Sequence, residues 1–230
     1  MRTGAILAAA LASAAALAQT FPRTPGQGVL YSHHNFYNAG WNRPGDGKPG
    51  EVCGVCHIPH VEGRPANRTN APFLWGRQLP VDTYTMYSSP TIQGTTDPQP
   101  TGTSRFCLGC HDGTVALEMF HLGTTGSTQF PWWHRQVVPG RHGSLDLGSD
   151  HPISITYPAN DPGLNPTSAP FGTGTGRTIA DYLEGGKVQC PTCHDIHNLD
   201  VPTANGAFYV RMTMSDPANP SALCFACHAK

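Results

Sequence analysis

Charged side chains are scarce in this sequence of 230 residues. Asp, Glu, Lys and Arg make up 13% of it and balance to a formal net charge of −1, whereas about 25% charged residues is usual for a soluble domain. Lysine occurs only as Lys48, Lys187 and Lys230, and no block of like charge is present. The sequence therefore predicts that neither nucleic acid nor an anionic membrane surface is a partner.

Uninterrupted stretches that could build a large apolar core are also few. The chain has 26 glycines and 22 prolines, and both residues break the interiors of helices and strands. This disfavours a helix bundle or a doubly wound α/β enzyme. Disorder is not indicated either, because 9% of the residues are aromatic and the net charge is small. Something other than a large apolar core is predicted to organise the fold.

The one long apolar run lies at the N-terminus, where residues 1–18 read MRTGAILAAALASAAALA. An Arg, an Ala/Leu run and the small residues Ala16 and Ala18 before Gln19 form the pattern of a cleaved secretory signal. A retained membrane anchor is the alternative, but the run is short for a bilayer span. We expect a signal peptide at 1–18, a single exported domain at 19–230 with an N-terminal arm at 19–50, and no membrane span after cleavage.

No cysteine stands outside one repeated motif. The four copies are Cys53-Gly-Val-Cys56-His57, Cys107-Leu-Gly-Cys110-His111, Cys190-Pro-Thr-Cys193-His194 and Cys224-Phe-Ala-Cys227-His228. Two thiols at this spacing can form thioethers to one haem, and the adjacent His then serves as proximal iron ligand. Disulfides or zinc sites would leave the His after every second Cys unexplained. The sequence predicts four covalent c-type haems.

Four haems account for the unusual composition, because the chain can wrap large apolar cofactors instead of burying its own side chains. The predicted fold class is a small multihaem cytochrome c that is loop-rich, with short helices at the haem motifs and little sheet. Its core is formed by four stacked c-type haems.

Eight histidines remain as candidate distal ligands: His33, His34, His60, His121, His134, His142, His151 and His197. Only four methionines follow the signal segment, so His/His ligation is favoured at most sites, which implies low reduction potentials. His60 and His197 each lie three residues after a proximal His. That is too near to reach the opposite face of the same haem, so we expect each to ligate a neighbouring one. The alternative is a surface or propionate contact.

His151 is the next candidate, since Asp150 could orient its imidazole and Pro152 prevents a helix from continuing through it. Of the pair His33 and His34 in the arm, one is predicted to be a ligand and the other a hydrogen-bonding neighbour, with His34 favoured. The remaining candidates, which lie between the second and third motifs, are predicted to be surface or packing residues: His121, His134 and His142.

Several segments carry a family resemblance over most of the chain after residue 18. They are His34-Asn35, the first motif with Ile-Pro-His60 and Ala71-Pro-Phe-Leu-Trp75, Tyr84-Thr-Met-Tyr-Ser-Ser-Pro90, Ser104-Arg-Phe and the second motif with Asp-Gly-Thr-Val-Ala116, Asp150-His-Pro-Ile-Ser154 and the final motif. In this order they resemble tetrahaem cytochromes of the outer-membrane cytochrome E type. The segment Phe130-Pro-Trp-Trp-His-Arg-Gln136 looks like an added loop, and a second His precedes the His-Asn pair.

Members of that family polymerise into extracellular filaments, or cytochrome nanowires, with bis-His haems in a continuous stack. The resemblance implies that the distal ligands are His34 or His33, His60, His151 and His197. It also implies that one distal ligand crosses the junction between copies joined head to tail. The expected location is extracellular or at the cell surface, otherwise periplasmic, and the expected partners are redox donor and acceptor proteins or extracellular electron acceptors.

The predicted function is long-range electron transfer rather than enzyme catalysis. One alternative is a discrete periplasmic tetrahaem shuttle with the same haems. Another is a multihaem reductase with one open haem, which would need an unligated iron with polar groups around it. The surplus of histidines makes such an open site less favoured.

Overall fold

The computed structural model describes ten stretches of the chain: 28–31, 34–37, 52–57, 74–77, 79–112, 145–158, 160–172, 176–197, 209–212 and 221–229. The expected signal segment, most of the arm and several candidate ligands, His33, His60, His121, His134 and His142, lie outside these residues. No helix within the ten stretches is long and apolar enough to cross a membrane.

Regular structure in the described residues is short. The α-helices are α1 (Ser104–His111), α2 (Cys190–Cys193) and α3 (Ala222–Cys227), and two 3-10 helices span Val29–Tyr31 and Ile179–Tyr182. Two strands, β1 (Ile155–Thr156) and β2 (Lys187–Val188), form one small sheet. Most of the other described residues lie in turns, bends and extended segments, so this part of the chain is loop-rich.

Each Cys-x-x-Cys-His motif forms a helical turn. The second, third and fourth motifs lie in or at the end of α1, α2 and α3. In the first motif, the N–H of His57 donates to the carbonyl of Cys53 at 2.8 Å. The N–H of His194 and of His228 bonds its own first cysteine in the same way, at 3.0 and 2.8 Å. This i to i+4 bond fixes the thiols and the imidazole of a motif on one turn.

The small sheet is antiparallel and carries a third backbone segment. Ile155 pairs with Val188 and Thr156 with Lys187. On the other side of β1, the N–H of Thr156 donates to the carbonyl of Thr95 at 2.9 Å. Gly94 permits this approach, because a Cβ there would lie 2.3 Å from the carbonyl oxygen of Thr156.

Two clusters of buried apolar side chains support the motifs. The larger contains Ile155, Tyr157, Phe171, Ile179, Tyr182, Val188 and Ala226. It therefore joins the sheet to α3 and to the 3-10 helix Ile179–Tyr182. The smaller contains Tyr84, Leu108 and Leu147, and Leu108 belongs to α1. The composition had not indicated these clusters, which show that the protein also packs against itself.

Candidate functional site

A repeated backbone arrangement holds three of the motifs. The carbonyl of the second cysteine accepts an N–H from an extended segment in each case: Gly76 to Cys56 at 2.7 Å, Arg211 to Cys193 at 2.8 Å and Asn165 to Cys227 at 2.8 Å. The adjoining histidines form single antiparallel bridges, His57 with Trp75, His194 with Val210 and His228 with Leu164. Each of these histidines is therefore fixed on both sides, by its own turn and by a distant segment.

The first and third motifs share a further detail of this arrangement. The residue that precedes the bridging position has a left-handed backbone in both, with φ of 55° at Leu74 and 53° at Tyr209. Such a conformation is uncommon for a residue other than glycine. The first and third motifs also share a His three residues after the proximal one. The backbone around the two motifs is therefore arranged in the same way.

A buried polar network joins the second motif to the third. The hydroxyl of Ser104, at the start of α1, donates to Oε1 of Gln189 at 2.5 Å. The same hydroxyl oxygen accepts the N–H of Cys190 at 2.9 Å. Ser154 Oγ donates to the same Gln189 oxygen at 3.1 Å. Because Ser104, Ser154 and Gln189 are all buried, these bonds fix α1 relative to α2.

All eight cysteines lie in the described residues, and no disulfide joins any two of them. Thiols of the first and second motifs are neighbours: burial raises the pKa of Cys56 to about 12, and Cys110 acts in the same direction. Burial likewise raises the pKa of Cys193, in the third motif, to about 12, and Cys227 of the fourth motif adds to this rise.

The second and third motifs meet at the side chains of Cys107 and Cys190. The Cys107 thiol donates a hydrogen bond to Cys190, which raises the pKa of Cys107 and lowers that of Cys190. The four motifs therefore neighbour one another in chain order, first to second, second to third and third to fourth. Groups attached at consecutive motifs would be neighbours as well.

Three pairs of imidazoles lie close together in the described part of the chain, with interplanar angles of 42°, 28° and 75°. The ring centres are 6.1 Å apart for His34 and His111 and 6.3 Å apart for His57 and His197. For His151 and His228 the separation is also 6.3 Å. Each pair combines a predicted proximal ligand with a predicted distal one.

These separations fit an iron atom held between two imidazoles. A metal–nitrogen bond of about 2.0–2.1 Å, followed by about 1.1 Å from that nitrogen to its ring centre, places two rings on opposite sides of one metal about 6.3 Å apart. All three measured separations lie within 0.2 Å of that value. His34 is the arm histidine that lies within the described residues, and it occupies such a position.

His151 is oriented differently from the sequence prediction. Its Nδ1 lies 3.0 Å from the carbonyl oxygen of Pro152, whereas the sequence had indicated Asp150 as the orienting group. Among the described atoms, Oδ2 of Asp150 is buried without a hydrogen-bond partner. An Nδ1–H donated to a backbone carbonyl leaves Nε2 as the metal-binding nitrogen. The imidazole is thus suited to ligation although its partner differs.

His197 has a polar environment that the sequence reasoning had missed. Its backbone N–H donates to Oδ1 of Asp195 at 2.9 Å, and its Nδ1 lies 3.9 Å from the same oxygen. Arg211 approaches the other carboxylate oxygen at 3.4 Å. The spacing Asp195-Ile-His197 could have indicated this contact, because an Asp side chain commonly accepts the backbone N–H of the residue two positions later.

Within the described stretches, no group of three or more His, Cys, Asp and Glu side chains could hold a metal ion. A haem iron takes only two axial ligands from the protein. Pairs of histidines, and not groups of three or more ligands, are therefore the pattern expected at a haem site. A comparison with models of protein families found no family that matches this chain, and a search among curated proteins found no similar one.

Proposed function

We propose that this chain is an electron-transfer protein that binds four c-type haems. The observation that carries the proposal is the set of three imidazole pairs whose ring centres lie 6.1–6.3 Å apart. In each pair one imidazole belongs to a Cys-x-x-Cys-His turn and the other comes from a distant part of the chain. The resemblance to the outer-membrane cytochrome E type supports the same proposal.

The proposed roles of the residues follow from this arrangement. The eight motif cysteines would attach the haems, and His57, His111, His194 and His228 would be the proximal ligands. The coordination of three irons would be completed by the other histidine of each pair: His197, His34 and His151. His60 is also proposed as a distal ligand, because the resemblance implies it and because it lies three residues after proximal His57.

A haem iron held by two imidazoles supplies reversible one-electron exchange between its ferric and ferrous states. The work of the chain is then to hold the axial imidazoles, to exclude other ligands and to keep consecutive attachment sites adjacent. The neighbouring thiols of successive motifs support such adjacency. No substrate chemistry is required of the residues, so the proposal is an electron carrier and not an enzyme.

The finer part of the proposal is that copies of the chain join head to tail in an extracellular filament. The resemblance carries this part. Half-exposed Phe225 within the fourth motif supports it, because an exposed aromatic side chain beside a haem attachment site suits contact with another copy.

The test uses the haem-loaded protein and the substitution His197→Ala. Mass spectrometry should find four attached haems, while one iron in four becomes high-spin in the visible and electron paramagnetic resonance spectra. His142→Ala is the control and should stay wholly low-spin. Low-spin iron at all four sites of His197→Ala would contradict the assignment. Carbon monoxide binding by the unaltered protein would favour a reductase, and a single-subunit mass at every concentration would favour a discrete shuttle over a filament.

A further inference from the structure

Asp195 lies between two histidines that have different proposed roles. It directly follows proximal His194, and its side chain is turned towards His197. Its Oδ1 accepts the backbone N–H of His197 at 2.9 Å and lies 3.9 Å from Nδ1 of that imidazole. Asp195 is only 6% exposed, so its charge is poorly screened by solvent.

Arg211 fixes the carboxylate from the other side. Its Nη1 lies 3.4 Å from Oδ2 of Asp195, and its Nε donates to the carbonyl of Pro191 at 2.7 Å. The guanidinium also lies 4.7 Å from the ring centre of Tyr182. A carboxylate held by an Asx-type turn and a fixed guanidinium has little freedom to leave the His197 imidazole.

The proposed distal imidazoles of two of the pairs differ in the group that lies near Nδ1. The Nδ1 of His151 contacts a neutral backbone carbonyl. The ligand His197 therefore has a carboxylate near its Nδ1, whereas His151 has an uncharged acceptor there.

We propose that Asp195 is a positioning residue for His197 and that its charge lowers the reduction potential of the haem between His57 and His197. This inference rests on the proposed function. A carboxylate close to the outer nitrogen of a ligating imidazole makes that ligand more basic. It also favours the more positive, oxidised state of the iron through its negative charge.

The test compares two substitutions that change charge in opposite directions. Asn in place of Asp195 can still accept the N–H of residue 197, since Asn forms the same turn, but it carries no charge. Asp195→Asn should keep all four irons low-spin and raise the reduction equilibrium constant of one haem on the order of tenfold, which is 59 mV for a one-electron couple. Arg211→Gln should shift the same haem to a lower potential, because the carboxylate loses its cation.

Spectroelectrochemical titration supplies the readout, and the affected haem is assigned as the component that turns high-spin in His197→Ala. Asp161→Asn is the matched control. Asp161 Oδ1 also accepts an N–H two residues on, from Gly163 at 2.7 Å, and the same charge is removed. It should leave the assigned component unchanged.

The outcomes separate the two proposals. If His197→Ala leaves every iron low-spin, the assignment of His197 as a ligand is wrong, and the inference about Asp195 is wrong as well. If His197→Ala produces one high-spin iron but Asp195→Asn changes that haem's equilibrium constant less than twofold, the role of Asp195 is refuted while the proposed function stands. A shift of the same sign in Asp195→Asn and Arg211→Gln would show a structural disturbance instead of a charge effect and would also refute it.

Discussion

The hydroxyl of Ser104 offers a sharp test of how the second and third motifs are held together. Ser104 is 0% exposed. Its hydroxyl donates to Gln189 Oε1 and accepts the N–H of Cys190. The substitution Ser104→Ala removes both bonds and leaves the Cys190 N–H without this acceptor. The substitution acts at the junction between α1 and α2 and replaces none of the residues proposed to attach or ligate haem.

The expected cost follows from those two bonds. The partly buried N–H of Cys190 would lose its acceptor at a cost of about 1–3 kcal/mol, and the net loss of the second hydrogen bond adds about 0.5–1.5 kcal/mol. Gln189 Oε1 keeps its bond from Ser154, so no further orphaned oxygen is counted. We expect Ser104→Ala to lower the free energy of unfolding by about 2–4 kcal/mol.

Denaturant unfolding of the purified protein, followed by circular dichroism, measures this difference. The midpoint denaturant concentration should fall while the dependence of the free energy of unfolding on denaturant stays the same. Ser89→Ala is a matched control. The Ser89 hydroxyl also bonds a side-chain oxygen and a backbone N–H, both of Thr91, but it is exposed. Its loss should cost about 0.5 kcal/mol or less. Equal costs for Ser104→Ala and Ser89→Ala would refute the role given to the buried network.

Two further predictions concern the packing and charge around the sheet. Phe171→Ala should lower the free energy of unfolding by about 3–5 kcal/mol, because Phe171 is 1% exposed in the larger apolar cluster. Thermal unfolding measures the loss, with Val81→Ala as the exposed control. Similar melting temperatures for the two variants would contradict the packing described for Phe171. Hydrogen bonds from Lys187 and Thr101 hold the pKa of Asp97 below its ordinary value. The resulting stabilisation is present above the ordinary carboxyl pKa of about 3.9 and is lost as pH falls through the lowered value. The unaltered protein should therefore be more stable than Asp97→Asn at about pH 7 and lose that advantage once the pH falls below the lowered pKa of Asp97. A pH-independent difference in melting temperature would contradict this.

Local spacing allowed much of the candidate site to be predicted from the sequence. A Cys-x-x-Cys-His motif spans one helical turn, so its thiols and imidazole had to lie together. The three-residue separation of His194 and His197 directed His197 towards a different motif. The structure places it against His57, and its ligation of iron stays a prediction.

Other features depend on distances that the sequence does not encode in any regular pattern. The larger apolar cluster joins residues as far apart as Ile155 and Ala226 through irregular loops, where no hydrophobic periodicity marks the members. Side-chain direction was equally hidden. Asp150 is adjacent to His151 in sequence, yet the imidazole contacts the Pro152 carbonyl instead, because the local backbone sets where each side chain points.

The contact between Cys107 and Cys190 has a consequence for the order in which the protein matures. Hydrogen bonding lowers the pKa of Cys190 and so favours its thiolate, which is the form that reacts to make a disulfide. In an oxidising compartment, a chain that folded before receiving the proposed haems would place these two sulfurs together, where they could be oxidised to a disulfide. A disulfide there would block an attachment position in each of two motifs. Under the proposed function, attachment at the second and third motifs before the network around Ser104 closes would avoid that disulfide.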